Sequence, residues 1–240
     1  MLADIDPHTA LLDFESVQRC VTDKTAAVLL VHLYGQVRNM RAWTDLCDSA
    51  GIALIEDCAQ SHTASEAGTV SGAFGVAGAF SFYPTKNLGA LGDAGAIVTA
   101  SSELAHRARQ LRNYGQSNRY EHPLVGLNSR LDELQAAILS ARLDYLPEFT
   151  DRRREVARRY RESISNPHVT LLAPEITAEQ HVHHLFVITS PHREALMAHL
   201  DSRGIDSLIH YPIPAHQQES LDWLRTDPQG LRNAEEHADS

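Results

Sequence analysis

The sequence is poor in lysine, since only Lys24 and Lys86 occur among 240 residues, against nineteen arginines. Any chemistry that needs a lysine amine therefore falls to one of two side chains. A surplus of positive charge is also absent, because 21 basic residues stand against 31 acidic ones and give a formal net charge of −10. Such a surface repels phosphate backbones, so the composition disfavours a nucleic-acid-binding protein. The hydrophobic share of 43% is typical of a globular protein rather than a disordered chain.

Cysteine and long apolar runs are scarce as well. Three cysteines, Cys20, Cys47 and Cys58, form neither a disulfide framework nor a paired metal-ligand spacing, which predicts a reducing, cytoplasmic setting. The longest apolar run, residues 26–31, is too short to span a bilayer, and the first residues lack the apolar segment of a signal peptide. We therefore expect a protein that neither enters a membrane nor is exported.

The first two-thirds of the chain alternates short apolar runs with segments of helical periodicity. This alternation is typical of a parallel sheet with crossover helices. The predicted strands are residues 27–31, 52–56, 78–82 and 95–99, and the predicted helices are residues 40–50, 101–112 and 132–146. Pro147 is expected to lie at the end of the last helix. The sequence thus predicts an α/β fold in which a mostly parallel sheet is flanked by helices.

The composition changes near residue 146. Residues 151–161 read as a charged helix with six arginines, which a Ser-Asn-Pro sequence at 165–167 interrupts. The predicted division is a large domain of residues 1–146 and a small α+β domain of residues 147–240. Within the small domain we expect strands at 169–172, 184–189 and 207–211 and a helix at 193–203. From Pro212 onward the pattern is polar and predicts no clear element.

Polar residues follow the predicted strands, at the edge where open α/β sheets bind their ligands. Asp57 follows one strand and Lys86 follows a later one, a pair that suits pyridoxal phosphate. A carboxylate keeps the pyridine nitrogen of this cofactor protonated, and a lysine amine whose pKa is lowered can react with its aldehyde. The hydroxyl of Ser81 and the turn around it suit a phosphate group.

Each of these three residues also has a simpler interpretation. The alternative for Asp57 is a cap on the segment that follows its strand, which is a common position for aspartate. Lys86 can be a solvated loop charge, and Ser81 can be the second face of a strand, because it alternates with Phe80 and Phe82. Spacing alone leaves these alternatives open.

The histidines are open to two interpretations. His32 follows the first strand, where a histidine either lines a pocket or forms a structural hydrogen bond. The run His181-Val-His-His184 invites a zinc site, but the strand predicted from residue 184 would send alternate side chains to opposite faces, and no carboxylate or cysteine completes the set. We therefore expect no metal. Cys58 reads as a small buried residue beside Asp57.

Four segments carry a resemblance to a known family. They are Val31-His-Leu-Tyr-Gly35, Leu54-Ile-Glu-Asp-Cys-Ala-Gln-Ser61, Phe80-Ser-Phe-Tyr-Pro-Thr-Lys-Asn-Leu-Gly89 and Gly126-Leu-Asn-Ser-Arg-Leu-Asp-Glu-Leu-Gln-Ala-Ala137. In this order they resemble the DegT/DnrJ/StrS family of pyridoxal-phosphate sugar aminotransferases, and weaker similarity covers nearly all the chain. The resemblance implies the large cofactor-binding domain of that family followed by its small C-terminal domain.

The resemblance also assigns roles to site residues. It implies that Lys86 carries pyridoxal phosphate covalently and then moves a proton between the substrate carbon and the cofactor. It implies that Asp57 pairs with the pyridine nitrogen, that Gln60 lies against the ring or its 3-oxygen, and that Ser81 binds the phosphate. His32 is expected to line the same pocket.

A second group of residues is implied to act across subunits or on the substrate. Asn128 would reach the phosphate of the neighbouring subunit, with Arg130 close by, so an active site of this type is shared across a dimer. Arg130, His210 and Tyr211 are candidates for binding the sugar, and the alternative for His210 and Tyr211 is the end of a strand in the small domain. The expected partners are therefore an amino donor, a keto-sugar and a second copy of the chain or a longer relative.

The sequence departs from the family pattern at both ends. Family members have a further N-terminal stretch with strands, a phosphate-binding turn and an aromatic residue, and a final C-terminal element, which have no counterpart here. A sheet without those strands exposes an edge, and a phosphate site without that turn has fewer donors.

Two functional hypotheses result from the resemblance and these departures. The first is an aminotransferase that moves an amino group from glutamate to a nucleotide-linked keto-sugar or a cyclitol ketone. Lysine at position 86 favours it over the related dehydratases, which have histidine there. The second is a catalytically incompetent or fragmentary family member that needs a partner chain. A Rossmann-type nucleotide-binding protein is disfavoured, because no Gly-x-Gly-x-x-Gly follows a predicted strand.

Overall fold

The computed structural model describes residues 1–240, which divide into two compact units. The unit that contains the main sheet comprises Ala26–Glu155 and Glu175–Leu185 and is called the sheet unit below. The other comprises Met1–Thr25, Val156–Pro174 and Phe186–Ser240 and is called the terminal unit. Both units are discontinuous in sequence, so the domain boundary near residue 146 stays a prediction. None of the helices combines the length and the apolar character that crossing a bilayer requires.

The regular elements follow one another as helices and strands of modest length. In chain order they are α1 (Phe14–Cys20), β1 (Ala27–Val31), α2 (Met40–Ala50), β2 (Ala53–Asp57), β3 (Ser65–Glu66), β4 (Thr69–Val70), β5 (Ala77–Ser81), β6 (Gly95–Val98), α3 (Ser102–Leu111), α4 (Glu133–Leu143), α5 (Leu146–Ser163), β7 (Thr170–Leu171), β8 (Ile188–Thr189), α6 (Arg193–Asp201) and α7 (Arg232–Asp239).

The main sheet confirms the predicted α/β class. Its strand order is β1-β2-β5-β6, in which β1, β2 and β5 are parallel and β6 is antiparallel to β5. The four strands begin and end within one residue of the predicted bounds, and α2 occupies the predicted range. Apolar runs and helical periodicity therefore located this half of the fold correctly.

One face of the sheet is open, and the register of the strands identifies its residues. Val31 pairs with Asp57, Asp57 with Ala79, and Ala79 with Ile97, so these four form one row across the sheet. Side chains in such a row point to the same face. Along β1 the alternate residues Val28 and Leu30 are buried, whereas Leu29 is 59% exposed, and Ile97 at the far edge is 60% exposed. We call the face with Leu29, Val31, Asp57, Ala79 and Ile97 the open face.

The helix boundary around Pro147 differs from the prediction. Helix α4 ends at Leu143, and Pro147 is the second residue of α5 rather than the end of the preceding helix. Proline fits the first turn of a helix because its missing N–H has no intrahelical partner there. Leu139 of α4 and Leu146 of α5 form a buried cluster with Leu88 and Ala90, the residues that end the loop after β5.

The terminal unit corrects three predictions. Residues 207–211 do not form a strand: the two-stranded sheet of this unit consists of β7 and β8, and Leu208 is 82% exposed. The strand predicted at 184–189 is reduced to β8. The polar tail, for which no element was predicted, contains α7.

The two ends of the chain meet around a buried carboxylate in the terminal unit. Asp227 accepts hydrogen bonds from the guanidinium of Arg19, at 2.6 Å from Nη2, and from the hydroxyl of Ser16. The Ser16 oxygen also accepts the Asp4 backbone N–H at 2.8 Å. The Asp4 carboxylate in turn accepts the N–H groups of Asn233 and Ala234 at 3.0 and 2.9 Å and so caps α7. We call this set the Asp227 network.

The Asp227 network predicts an acid-sensitive stability. The Arg19 guanidinium holds the pKa of the Asp227 carboxyl well below its usual range. A lowered folded-state pKa contributes stability above the ordinary aspartate pKa, about 4, and this contribution is lost as the pH falls below that value. Asp227→Asn should lower the free energy of unfolding at pH 7 by about 2 kcal/mol, because it leaves buried donors poorly paired. Urea unfolding at pH 7 and pH 3 measures both effects.

The matched control for this prediction is the exposed Asp206, which makes no hydrogen bond. Asp206→Asn should leave the urea midpoint and its pH dependence unchanged. An Asp227→Asn chain whose midpoint falls between pH 7 and pH 3 as much as that of the wild type would contradict the role given to the network.

Candidate active site

Asp57 is the last residue of β2 and lies on the open face. One carboxylate oxygen, Oδ1, accepts the backbone N–H of Ala59 at 2.9 Å, so the side chain does bind the segment that follows the strand. The other oxygen, Oδ2, accepts no hydrogen bond from the protein. The capping role and a ligand-binding role are therefore compatible, because they use different oxygens.

Lys86 lies in a compact loop that follows β5. The Lys86 backbone N–H donates to the Tyr83 carbonyl at 2.8 Å, and the Ala90 N–H donates to the Phe82 carbonyl at 2.7 Å. Gly89 is required for this compactness, since a Cβ there would lie 2.4 Å from the Pro84 carbonyl oxygen. The loop therefore has a defined backbone around the lysine.

The Lys86 amine is partly buried and forms no hydrogen bond or ion pair with the protein. Burial lowers the pKa of the amine below its ordinary value, and the negative charge of Asp57 offsets part of that decrease. The amine of Lys86 therefore lies close enough to Asp57 for their charges to interact. A fully solvated loop lysine would show neither effect, so this alternative does not describe Lys86.

Ser81 ends β5 on the same face as Asp57. Asp57 pairs with Ala79, and side chains two residues apart along a strand share a face. The Ser81 oxygen accepts the Tyr83 N–H at 3.2 Å, which leaves the hydroxyl hydrogen available to a ligand. Ser81 is thus a strand residue, as the simpler interpretation says, and its side chain lies on the open face with Asp57, while its phosphate-binding role stays a prediction.

Gln60 and His32 are buried and hydrogen-bonded within the protein. The side-chain oxygen of Gln60 accepts the Tyr34 backbone N–H at 2.6 Å. The His32 ring nitrogen Nε2 lies 2.9 Å from a carboxylate oxygen of Glu56. The structural interpretation of His32 therefore has a specific partner, whereas its role in lining the pocket stays a prediction.

Glu56 organises the buried side of the sheet beneath this edge. Its carboxylate accepts the backbone N–H groups of Gly72, Phe74 and Gly75, each at 2.8 Å. Burial alone would raise the pKa of Glu56, but the hydrogen bonds from His32 and from the backbone outweigh it and lower the pKa. Glu56 is thus an ionised structural carboxylate.

One cluster has the residue types of a metal site. Ligand atoms of His32, Glu56 and Cys58 lie within 4.8 Å of one another. Both Glu56 oxygens are already occupied by donors, and burial raises the pKa of the Cys58 thiol to about 12. A neutral thiol is a poor ligand, so the chemistry of this cluster favours structural hydrogen bonding.

His62 is a buried histidine near Lys86 that the sequence analysis did not single out. It is 3% exposed, and neither ring nitrogen has a hydrogen-bond partner. Its ring centroid lies 5.6 Å from that of Phe80 and 5.7 Å from that of Phe82. Burial and, to a lesser extent, the positive charge of Lys86 lower the pKa of His62 to about 4. Its position two residues after Gln60 was the available signal.

The histidines from 181 to 184 are arranged differently from the prediction. The rings of His181 and His183 stack at a centroid distance of 3.8 Å, because this segment is not a strand and its side chains do not alternate between faces. The Glu175 carboxylate lies 3.7 Å from Nε2 of His183, and the proximity of this histidine lowers the pKa of Glu175 to about 2. Burial lowers the pKa of His181 to about 3.

The remaining predicted site residues are not brought to Lys86 by the sheet unit. Asn128 and Arg130 are exposed, and the Arg130 Nε donates to the Asn128 side-chain oxygen at 3.1 Å. Neither residue has a hydrogen bond or ion pair with Asp57 or Lys86. His210 and Tyr211 belong to the terminal unit, where their rings meet edge to face at 5.3 Å. The roles of these four residues stay predictions.

Comparison with known proteins places this arrangement in context. The family model described as the DegT/DnrJ/EryC1/StrS aminotransferase family matches residues 1–240. The dTDP-3-amino-3,6-dideoxy-alpha-D-galactopyranose transaminase of Aneurinibacillus thermoaerophilus is 47% identical over 221 residues, which cover 92% of this chain and 60% of that protein. The chain spans 56–60% of the length of four curated relatives that it matches, this transaminase included.

Two solved structures share the fold. The crystal structure of DesV from S. venezuelae, in complex with a ketimine intermediate, superposes with a TM-score of 0.91 at 42% identity and covers 98% of this chain and 64% of that chain. NtdA from Bacillus subtilis, with bound cofactor PMP, has a TM-score of 0.85 at 30% identity and covers 100% of this chain and 56% of that chain. This chain and these structures thus share the fold in which a mostly parallel sheet is flanked by helices.

The interaction of Asp57 with Lys86 predicts a measurable change in the lysine pKa. Asp57→Asn removes the negative charge that favours the ammonium form, so the pKa of Lys86 should fall further. Reductive methylation with 13C-formaldehyde labels only Lys24, Lys86 and the N-terminal amine, and a 13C NMR pH titration then follows Lys86 directly. Lys86→Arg assigns its signal.

Asp48→Asn is the matched control, because Asp48 is an exposed aspartate of the same unit without a link to Lys86. It should leave the Lys86 titration unchanged. An unchanged Lys86 pKa in a folded Asp57→Asn chain would refute the proximity of the two groups.

Proposed function

Because this chain belongs to the DegT/DnrJ/EryC1/StrS aminotransferase family, we propose that it carries the lysine-bearing part of the active site of a pyridoxal-phosphate-dependent nucleotide-sugar aminotransferase. The observation that carries the proposal is the convergence of three groups after neighbouring strands. A carboxylate and a hydroxyl share the open face at the ends of β2 and β5, and the carboxylate interacts with a partly buried lysine amine.

These groups fit the chemistry of the cofactor. When bound, pyridoxal phosphate supplies a pyridinium ring that withdraws electrons from the carbon being deprotonated. The Asp57 oxygen Oδ2, which has no protein donor, is suited to hold the proton at the pyridine nitrogen. The Ser81 hydroxyl is suited to donate to the phosphate, and the Gln60 amide lies buried within three residues of Asp57.

Lys86 is the group that transfers protons in this proposal. Its lowered pKa increases the fraction of neutral amine at neutral pH, and only the neutral Nζ attacks an aldehyde. The same nitrogen then takes a proton from the substrate carbon and returns it, acting as base and acid in turn. The partly buried setting reduces competing proton exchange with water.

The substrate class is proposed from the relatives. A relative with 47% identity is named as a transaminase of a dTDP-linked dideoxy sugar, so we propose a nucleotide-linked keto-sugar, or a related cyclitol ketone, as the amino acceptor. Glutamate is the proposed donor. Arg130, His210 and Tyr211 are proposed to bind substrate, and the cytoplasm is the proposed location.

We further propose that the site is shared in a homodimer, with Asn128 acting on the neighbouring subunit. In support, Asn128 and Arg130 are exposed, hydrogen-bonded to each other and without a link to the Lys86 of their own chain. An exposed, preorganised amide–guanidinium pair suits a phosphate that a second subunit presents.

One observation favours the second candidate, in which this chain needs another polypeptide to complete the site. The open face presents Leu29, Val31 and Ile97 to solvent in and beside the row that contains Asp57. Exposed apolar surface of this kind is typical of a face that another segment covers. In that case Asp57 becomes part of a complete binding site only after the second polypeptide covers the open face.

A titration with pyridoxal phosphate distinguishes the two candidates. An absorbance band near the visible edge that requires Lys86, and that shifts when glutamate is added, is expected for a chain that completes the site itself. Lys86→Arg keeps the positive charge and should abolish the band. Lys24→Arg is the matched control and should retain it, since Lys24 is the sole other lysine.

The absence of a Lys86-dependent band in a folded sample would reject self-sufficient cofactor binding and support the second candidate. A band that survives Lys86→Arg but is lost in Lys24→Arg would reject the proposed role of Lys86 altogether. Circular dichroism of each variant establishes that the comparison is made between folded chains.

Mixing two inactive variants tests the shared site. Lys86→Arg and Asn128→Ala chains each lack one part of every site, but a mixed dimer contains one complete site. Random pairing should therefore restore about a quarter of the cofactor binding of the wild type. Binding is measured by the same absorbance titration at a concentration where neither variant binds alone. No recovery in a sample shown to contain mixed dimers would contradict the shared site.

A further inference from the structure

The residue next to Lys86 is held by two buried hydrogen bonds. Asn87 is 3% exposed, and its side-chain Nδ2 donates to the Val182 carbonyl at 3.0 Å. Its side-chain oxygen lies 3.1 Å from Nδ1 of His184. Because the amide nitrogen is the donor of the first bond, the amide oxygen is the acceptor of the second, so His184 carries its hydrogen on Nδ1. Both ends of the Asn87 amide are therefore satisfied.

The segment that receives Asn87 is itself fixed to the end of the first strand. The Val182 N–H donates to the Gly35 carbonyl at 3.0 Å, and the His184 N–H donates to the Tyr34 carbonyl at 2.9 Å. Gly35 has a φ of +97°, and a Cβ there would lie 2.8 Å from Val182 Cγ2. Only glycine allows this close approach.

Arg153 of α5 fixes the same segment from another side. Its Nη1 donates to the carbonyls of His183 and His184, each at 3.1 Å. The Arg153 side chain is partly buried where it makes these bonds, and this burial lowers the pKa of its guanidinium. His184 is therefore a rigid donor, because its backbone is bound at the N–H and at the carbonyl.

We infer that Asn87 and His184 are positioning residues for Lys86: the amide–imidazole pair fixes the residue bonded to Lys86, so that the lysine amine stays partly buried beside Asp57. Both side chains are buried, so the pair is proposed to act through the backbone of the loop. This inference rests on the proposed function in one respect, the task given to Lys86. The placement of the amine itself does not depend on it.

The backbone of the loop explains why residue 87 is the effective point of attachment. The bonds from Lys86 N–H to Tyr83 and from Ala90 N–H to Phe82 close the loop on itself but do not attach its tip to another element. Leu88 packs into the buried cluster with Leu139 and Leu146, and Asn87 supplies the hydrogen-bonded attachment beside it. Both Asn87 bonds are buried, where an unmade bond is costly. Loss of either partner is expected to free the tip and hydrate the neighbouring amine.

The test compares two substitutions at His184, one that retains a hydrogen-bond donor and one that does not. His184→Asn places an amide Nδ2 at the position of the imidazole Nδ1 and so retains the donor, whereas His184→Leu retains apolar volume and loses the donor. The readout is the Lys86 pKa from the 13C NMR titration of the reductively methylated chain without cofactor. His184→Leu and Asn87→Ala should raise the pKa of Lys86 towards its ordinary value, and His184→Asn should keep it low.

Asn233→Ala controls for the general effect of losing a partly buried side-chain hydrogen bond. Asn233 donates from Nδ2 to the Ile5 carbonyl at 2.8 Å in the terminal unit, so its removal should leave the Lys86 titration unchanged. A pure packing role for His184 predicts the reverse order, in which leucine preserves the Lys86 pKa better than asparagine.

An unchanged Lys86 pKa in a folded His184→Leu chain would overturn the inference, and so would equal shifts for His184→Leu and His184→Asn. If Asn87→Ala does not fold, the pair of His184 variants still decides the question. Because the titration is performed without pyridoxal phosphate, a failed cofactor titration leaves this result intact. The two proposals can therefore fail separately.

Discussion

The register between β2 and β5 is the constraint on which the candidate site depends. It pairs Asp57 with Ala79 and so places Asp57 on the same face as Ser81. Since side chains alternate between faces, a slip of one residue would send Asp57 to the buried side and Glu56 to the open face. Two consecutive carboxylates therefore acquire opposite tasks. Glu56 is enclosed by backbone donors, whereas Asp57 keeps one oxygen available at the sheet edge.

The hydrogen bonds of Glu56 stabilise this register, because a slip of the strand would break them. Its carboxylate collects three N–H groups from residues 72–75, the turn that leads into β5, as well as the ring of His32 after β1. A buried charge that loses such donors is strongly destabilising. The residue that carries no predicted role in binding thus holds together the ends of the strands from which Asp57, Ser81 and Lys86 are presented.

The sequence analysis located the main sheet and α2 because the information for them is local, in apolar runs and in helical periodicity. It missed α7 because the donors at the start of that helix are capped by Asp4, which lies 229 residues before Asn233. It predicted a strand at 207–211 from apolar residues that have no partner strand in the structure. It selected Lys86, Asp57 and Ser81 as candidates from their positions after strands and from the motifs. The task proposed for Asn87 depends on His184, which is distant in sequence and close only after folding.

The Asp227 network joins residues separated by more than 200 positions, since Arg19 and Asp227 lie 208 residues apart. Contacts of such long range form late, because the chain between them must first become compact. During synthesis at the ribosome, residues 1–25 emerge long before residues 225–234, so the earlier segment finds its partners only when the later one has been made. The sheet unit can complete its strands in the meantime, whereas the terminal unit exposes its apolar side chains until residues 225–234 have been made. During that interval the exposed apolar side chains of the terminal unit are the kind of surface that chaperones bind.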